Sequence, residues 1–144
     1  MERFDLWQKW LFVVGLLIII FGVMMTFLNG TMLFDMINDQ VNPVFWDDGN
    51  IPDETKDFQG WIYAVLGSAM AGWGIFIIFI AHYPFQKKEQ WSWNCLVTGL
   101  SVWFCLDTAF SLYFEVYFNA VFNTALFLLV IVPLAFTRND FMQS

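Results

Sequence analysis

Four long apolar runs constrain this chain more than anything else in it. They cover about residues 10–28, 60–82, 91–114 and 118–137, and none of them holds a lysine or arginine. A helix needs about 20 such residues, at a rise of ~1.5 Å each, to cross the ~30 Å hydrocarbon core of a bilayer. The predicted fold is therefore all-α. It is an antiparallel four-helix transmembrane bundle, one domain over residues 1–144, with a long extracytoplasmic loop at 29–57. Composition agrees: 59% of the residues are hydrophobic and 13% charged. Soluble domains carry about 25% charged residues, and one of this size could not hide so much apolar surface. The first run is too long for a cleavable signal peptide, and no A-x-A site follows it.

The net charge of −7 is unevenly spread. Asp35, Asp39, Asp47, Asp48, Asp53, Glu54 and Asp57 all lie in the 29–57 segment. Such an acidic face disfavours nucleic acid, which needs basic contacts to phosphate. The basic residues lie elsewhere. Arg3, Lys9, Lys87, Lys88 and Arg138 fall in the N-terminus, the 83–90 loop and the tail, and only Lys56 lies opposite. Four spans put those three segments on one side. The positive-inside rule then places both termini in the cytoplasm of a multi-pass cell-membrane protein. Trp7, Trp10, Tyr83, Trp91 and Trp93 mark the inner interface; Trp61, Tyr63, Tyr113 and Tyr117 mark the outer one.

Turn dipeptides punctuate the 29–57 segment: Asn29-Gly30, Asn42-Pro43, Gly49-Asn50 and Ile51-Pro52. Within it, Met32, Leu33, Met36 and Ile37 recur at helical spacing, which predicts a short interfacial helix over 31–37. Pro43, Val44, Phe45 and Trp46 form an apolar tip able to dip into the headgroups. Asp47-Asp48-Gly49-Asn50 with Asp53 and Glu54 lacks the spacing of a calcium-binding loop and reads as a solvated acidic turn.

Small residues mark faces for close helix contact. Gly15 and Gly22 share one face of the first span. Gly60, Ala64, Gly67, Ser68 and Ala71 share one face of the second.

Asp107 is the one acidic residue in the middle of a span. It lies sixteen residues past Trp91. At a rise of ~1.5 Å per residue, that is ~24 Å up the helix. Ser111 at i+4 and Glu115 at i+8 extend its stripe, and Trp103 at i−4 offers an indole N–H. Asn119 and Asn123, past the hairpin, fall at similar depth on the next helix. No cation lies at that depth in the chain. An unpaired carboxylate there is costly, so Asp107 stays protonated, faces a wet cavity, or meets a cation from a ligand or another subunit. The structural alternative is an interhelical hydrogen bond to Asn123 or Ser111, worth roughly 0.5–2 kcal/mol.

A second polar stripe, Asn94, Thr98, Ser101, Cys105 and Thr108, faces away from Asp107. It reads as helix packing with hydroxyls bonded back to the backbone, or as a polar pathway. Cys95 and Cys105 are ten residues apart on one helix. That separation is about 15 Å, beyond the ~7 Å reach of a disulfide, and both read as buried apolar filler. The single His82 cannot build a metal or haem site. No nucleophile set, phosphate loop or metal-ligand motif is present. The chain reads as non-enzymatic, with no cofactor implied by its residues.

The segments Phe58-Gln59-Gly60-Trp61, Gly67-Ser68-Ala69-Met70-Ala71-Gly72-Trp73-Gly74, Trp91-Ser92-Trp93-Asn94 and Leu106-Asp107-Thr108 resemble those of small bacterial four-helix membrane proteins. In architecture the chain is similar to DoxX-like proteins: a long first loop, a glycine-rich second helix, a basic second loop and a polar third helix. The resemblance implies that fold over most of the chain. Some members of the family are associated with quinones or redox complexes. No catalytic residue carries across.

The expected function is a small membrane protein that binds a lipid-like or small polar ligand near Asp107, or serves as an accessory subunit of a membrane complex. The alternative is an oligomeric transporter or channel protomer with Asp107 as proton or cation site. Its subunits would meet through the Gly15/Gly22 face or the 60–71 face.

Overall fold

The computed structural model describes residues 2–46 and 51–142. It is all-helical there: α1 (Glu2–Phe27), α2 (Met32–Phe45), α3 (Asp53–His82), α4 (Gln90–Tyr113) and α5 (Tyr117–Met142). Helices α1, α3, α4 and α5 are long and apolar enough to cross a membrane. Three of them outrun their apolar stretches. Nothing between Glu2 and Lys9 breaks a helix, so α1 begins in polar sequence. At α3, Pro52 precedes the first turn, and Asp53 and Glu54 suit the positive end of its dipole. Asn29 Nδ2 donates to Met25 O at 3.0 Å and to Thr26 O at 3.2 Å. It thereby satisfies carbonyls that the end of α1 leaves without helical partners.

The 29–57 segment is not an open loop. The expected 31–37 helix continues to Phe45, passing through Pro43 in its last turn. Phe34 is buried, and Phe34, Ile37, Val41 and Phe45 face the bundle. Their offsets of 3, 7 and 11 are helical. Met32, Leu33 and Met36, expected on the apolar face of an interfacial helix, are exposed on the outside of the bundle, and Ile37 lines its interior. From the apolar tip, Phe45 reaches the bundle and lies 6.3 Å from the Phe114 ring. The Asp47-Asp48-Gly49-Asn50 turn lies outside the described residues.

Helices α1 and α3 form the most extensive pairing, and glycines allow it. A Cβ built on Gly22 would stand 2.5 Å from Gly67 O and 2.6 Å from Ala71 N; one on Gly67 would stand 2.5 Å from Gly22 O. Further along, a Cβ on Gly74 would stand 2.6 Å from Gly15 O. Gly15 and Gly22 of the first face thus meet Gly74, Gly67 and Ala71 of α3 within the chain. Thr26 Oγ1 donates to Gly22 O at 2.8 Å and, across the pair, to Ala64 O at 3.3 Å. Gly60 meets only Asn29 Oδ1, at 3.4 Å from a built Cβ. Ser68 is exposed and donates to Val65 O of its own helix.

Pro133 sits inside α5 and has no N–H for the Leu129 carbonyl. Trp10 Nε1 of α1 supplies the missing donor to Leu129 O at 2.8 Å. Trp93 Nε1 ties α4 to α5 in a similar way, donating to Leu134 O at 2.8 Å. Phe104 and Phe127 stack at 4.3 Å farther along this pair.

The dense core lies toward one end. Phe4, Phe85 and Phe141 cluster there, with ring centroids 4.6–5.9 Å apart. Lys88 Nζ lies 4.7 Å above the Phe4 ring and bonds Asp140 Oδ1 at 2.9 Å. This contact set joins the start of α1, the α3–α4 connection and the end of α5. Helices α3 and α4 barely touch. The half of the molecule under α2 is hollow as a result.

Candidate functional site

Asp107 sits on α4 less than two turns before its end, where α4 faces α5. Four side chains converge on its carboxyl group. Oδ1 accepts from Asn119 Nδ2 at 2.8 Å, Asn123 Nδ2 at 2.9 Å and Ser111 Oγ at 3.2 Å. Oδ2 accepts from Trp103 Nε1 at 3.2 Å. Ser111 Oγ also donates to Asp107 O at 2.7 Å and accepts from Asn119 Nδ2 at 2.8 Å. Helix periodicity builds half of this shell: Trp103 and Ser111 flank Asp107 at i−4 and i+4. The tight turn between Tyr113 and Tyr117 builds the rest by bringing α5 back alongside. Asn123 is buried, 2% exposed, so its amide is committed to this one cluster.

Glu115 does not join them. Helix α4 ends before it, and it lies exposed in the turn with φ at 61°. That left-handed backbone is uncommon outside glycine. Its helical i+8 register with Asp107 is lost there.

All four contacts to Asp107 are donors, and an ionised carboxyl group is acceptor-only. Asn119 and Asn123 direct their amides at the same oxygen, leaving Oδ2 with the single indole contact. The carboxyl group lines a cavity of about 650 Å³. Its walls come from all five helices and are mainly apolar, with aromatic side chains such as Phe34, Tyr63, Trp73, Phe110 and Phe122 among them. Trp73 and Trp103 meet edge to face at 5.6 Å across the α3–α4 gap. Leu66, Trp73 and Phe110 line the cavity and yet are exposed, so it opens sideways between α3 and α4.

Helix α2 roofs the cavity through a polar ladder. Tyr63 Oη donates to Asn38 Oδ1 at 3.0 Å, and Gln59 Nε2 donates to Asn42 Oδ1 at 2.7 Å. Sequence reasoning missed this roof. Its signal is present: Asn38 and Asn42, like Gln59 and Tyr63, are i, i+4 pairs.

The second stripe of α4 lies outside the cavity. Asn94, Thr98 and Cys105 are exposed, and Ser101 and Thr108 are partly so. The expected back-bonding is not what the structure places there. Thr108 Oγ1 is buried with no partner among the described residues. Cys95 and Cys105 are free and exposed rather than buried. Among the described residues no three His, Cys, Asp or Glu side chains gather into a metal-binding group.

Comparison with known protein families, with curated proteins and with solved structures finds no match for this chain.

Proposed function

We propose that this chain is an integral membrane protein whose four spans alternate in direction, and that it binds a small lipid-like molecule in the cavity, with Asp107 as the polar anchor. The carrying observation is the placement of Asp107: a carboxyl group held by four donors on the wall of a largely apolar chamber. The chamber, about 650 Å³, falls in the ~300–1,000 Å³ range of ligand pockets. The lateral opening between α3 and α4 lets an amphiphile enter from the bilayer without crossing water.

Alternating spans are supported by the glycine pairs. Gly15 meets Gly74 while Gly22 meets Gly67, so α1 and α3 run in opposite senses. Trp93 with Leu134 and Phe104 with Phe127 support the same for α4 and α5. A DoxX-like architecture fits this proposal in helix order and in its polar α4, and lends it no residue roles.

The test is extraction. Small molecules are released from purified protein and identified by mass spectrometry, beside an Ala69→Trp variant that fills the cavity. The expected result is an amphiphile carried by the wild type and depleted in the variant. Wild-type protein that repeatedly carries nothing above the variant counts against the reading.

A second reading, an oligomer that conducts protons or cations through Asp107, is favoured by the outward stripe of α4. A hydroxyl or carboxamide facing hydrocarbon gains from a partner helix, and a second copy of α4 offers matching donors and acceptors at the same depth. Proton or cation flux into proteoliposomes decides it. Flux that survives Asp107→Asn unchanged removes this reading.

A further inference from the structure

We infer that the cavity selects a lipophilic monocation: a molecule with one positively charged nitrogen on an apolar body. This deepens the ligand-binding proposal and rests on it.

Three independent observations converge. The first is the shell. Trp103, Ser111, Asn119 and Asn123 are all neutral donors, so they position the Asp107 carboxyl group and bring no positive charge to it. Oδ2, with its one indole contact, keeps acceptor capacity. Among the described residues, no lysine or arginine lines the cavity. A carboxylate in such a low-dielectric chamber is best answered by one mobile positive charge.

The second is the wall. Trp73, Trp103, Phe110, Phe122, Phe34 and Tyr63 surround the space. Aromatic faces attract cations within about 6 Å of the ring centroid, and recognition of ammonium groups by such cages follows from that. A neutral guest gains apolar contact from them but no cation–π attraction, and an anionic one is disfavoured by their negative faces.

The third is the approach. Helix α2 presents Phe34, Ile37 and Val41 to the cavity and Asp35 and Asp39 to the outside. Asp53, Glu54 and Asp57 follow at the start of α3, where, among the described residues, Lys56 pairs with Asp53, at 3.1 Å. A roof of this sign concentrates cations at the end of the molecule where the cavity lies.

One carboxylate implies one positive charge. Two sources supply that chemistry: the ammonium head of a bilayer lipid, or a freely diffusing hydrophobic amine.

The experiment uses a matched pair of probes, (1-naphthylmethyl)trimethylammonium and its neutral carbon isostere 1-neopentylnaphthalene, titrated into full-length protein in anionic-lipid nanodiscs. The readouts are saturable binding and the indole N–H resonance of Trp103. The expected result is binding of the cation about tenfold or more tighter than the isostere, with a shifted Trp103 signal. Asp107→Asn brings the two affinities together, and Ala69→Trp removes both. Equal wild-type affinities for the pair overturn the cation inference and leave the ligand-binding reading standing. Saturable binding of neither probe overturns both. This central comparison uses wild-type protein, so it holds even if a variant fails to fold. Repeating it with added phosphatidylcholine at a constant anionic-lipid fraction separates the sources. Displacement of the probe as phosphatidylcholine rises identifies a lipid ammonium head as the natural occupant, and unchanged affinity identifies a free amine.

Discussion

Asn123 is the residue on which the Asp107 cluster most depends. It is buried and reaches across from another helix at 2.9 Å. Interhelical hydrogen bonds in membranes average about 0.6 kcal/mol and reach about 1.7 kcal/mol, and one made by a fully buried amide belongs at the upper end of that range. Asn123→Ala is therefore expected to cost about 1–2 kcal/mol. Asn119→Ala should cost less, because Asn119 is only partly buried. Unfolding titrations in mixed micelles check the order; no cost at either site would mean that the cluster does not bind α5 to α4. Trp10 makes a related case. Its indole answers a carbonyl that Pro133 leaves without a donor. Trp10→Phe should therefore cost about 1 kcal/mol, while Trp10→Phe with Pro133→Ala should recover part of it. The Asp107 neighbours were legible in the sequence because i±4 spacing on one helix and equal depth across a short hairpin are one-dimensional facts. The indole of Trp10 was legible only as a belt residue, since its partner lies more than a hundred positions away. Glu115 misled because helical register was carried past the point where the helix ends.

At the scale of the elements, the small-residue faces state that a close contact exists without stating with what. Gly15 and Gly22 fit a partner helix from any chain equally well in one dimension. Only the fold shows that Gly74 and Gly67 receive them. The close approach makes a sharp prediction. A methyl on Gly22 or Gly67 collides with backbone, which cannot rotate aside. Gly22→Ala or Gly67→Ala should therefore cost about 1–3 kcal/mol, as overpacking does. Gly72 has nothing within 4 Å of a built Cβ. Gly72→Ala should therefore stabilise by up to about 1 kcal/mol through helix propensity alone. Thermal denaturation of the three variants side by side checks the contrast; equal effects would dissolve the α1–α3 pairing. Helix α2 was half legible. Its existence showed in the spacing of Met32, Leu33, Met36 and Ile37, but hydrophobicity alone could not rank them below Phe34. Met32 is 86% exposed and Phe34 2%, because the bundle offers a concave aromatic wall that Phe34 fills and a lipid or headgroup surface that suits Met.

Across the whole molecule, four apolar runs were enough to state how many helices can span a membrane, because only length and composition enter. The cavity was not legible, because it arises where α3 and α4 fail to pack, and no pattern within either helix records a separation between them. Charge is the other whole-molecule property, and it makes the last prediction. Of six lysines and arginines, Arg3, Lys9, Lys87, Lys88 and Arg138 belong to the three segments that meet around Phe4, Phe85 and Phe141. Moving that end across the membrane would carry basic residues outward at every one of those segments, while the acidic α2 roof would turn inward. The positive-inside rule therefore predicts that this end stays in the cytoplasm. In a Cys95→Ser, Cys105→Ser background, Gln86→Cys should react with a membrane-impermeant maleimide only after the cells are opened. Gln40→Cys on α2 should react in intact cells. Labelling of Gln86→Cys from outside would invert the topology, and with it the side from which the acidic roof gathers cations toward Asp107.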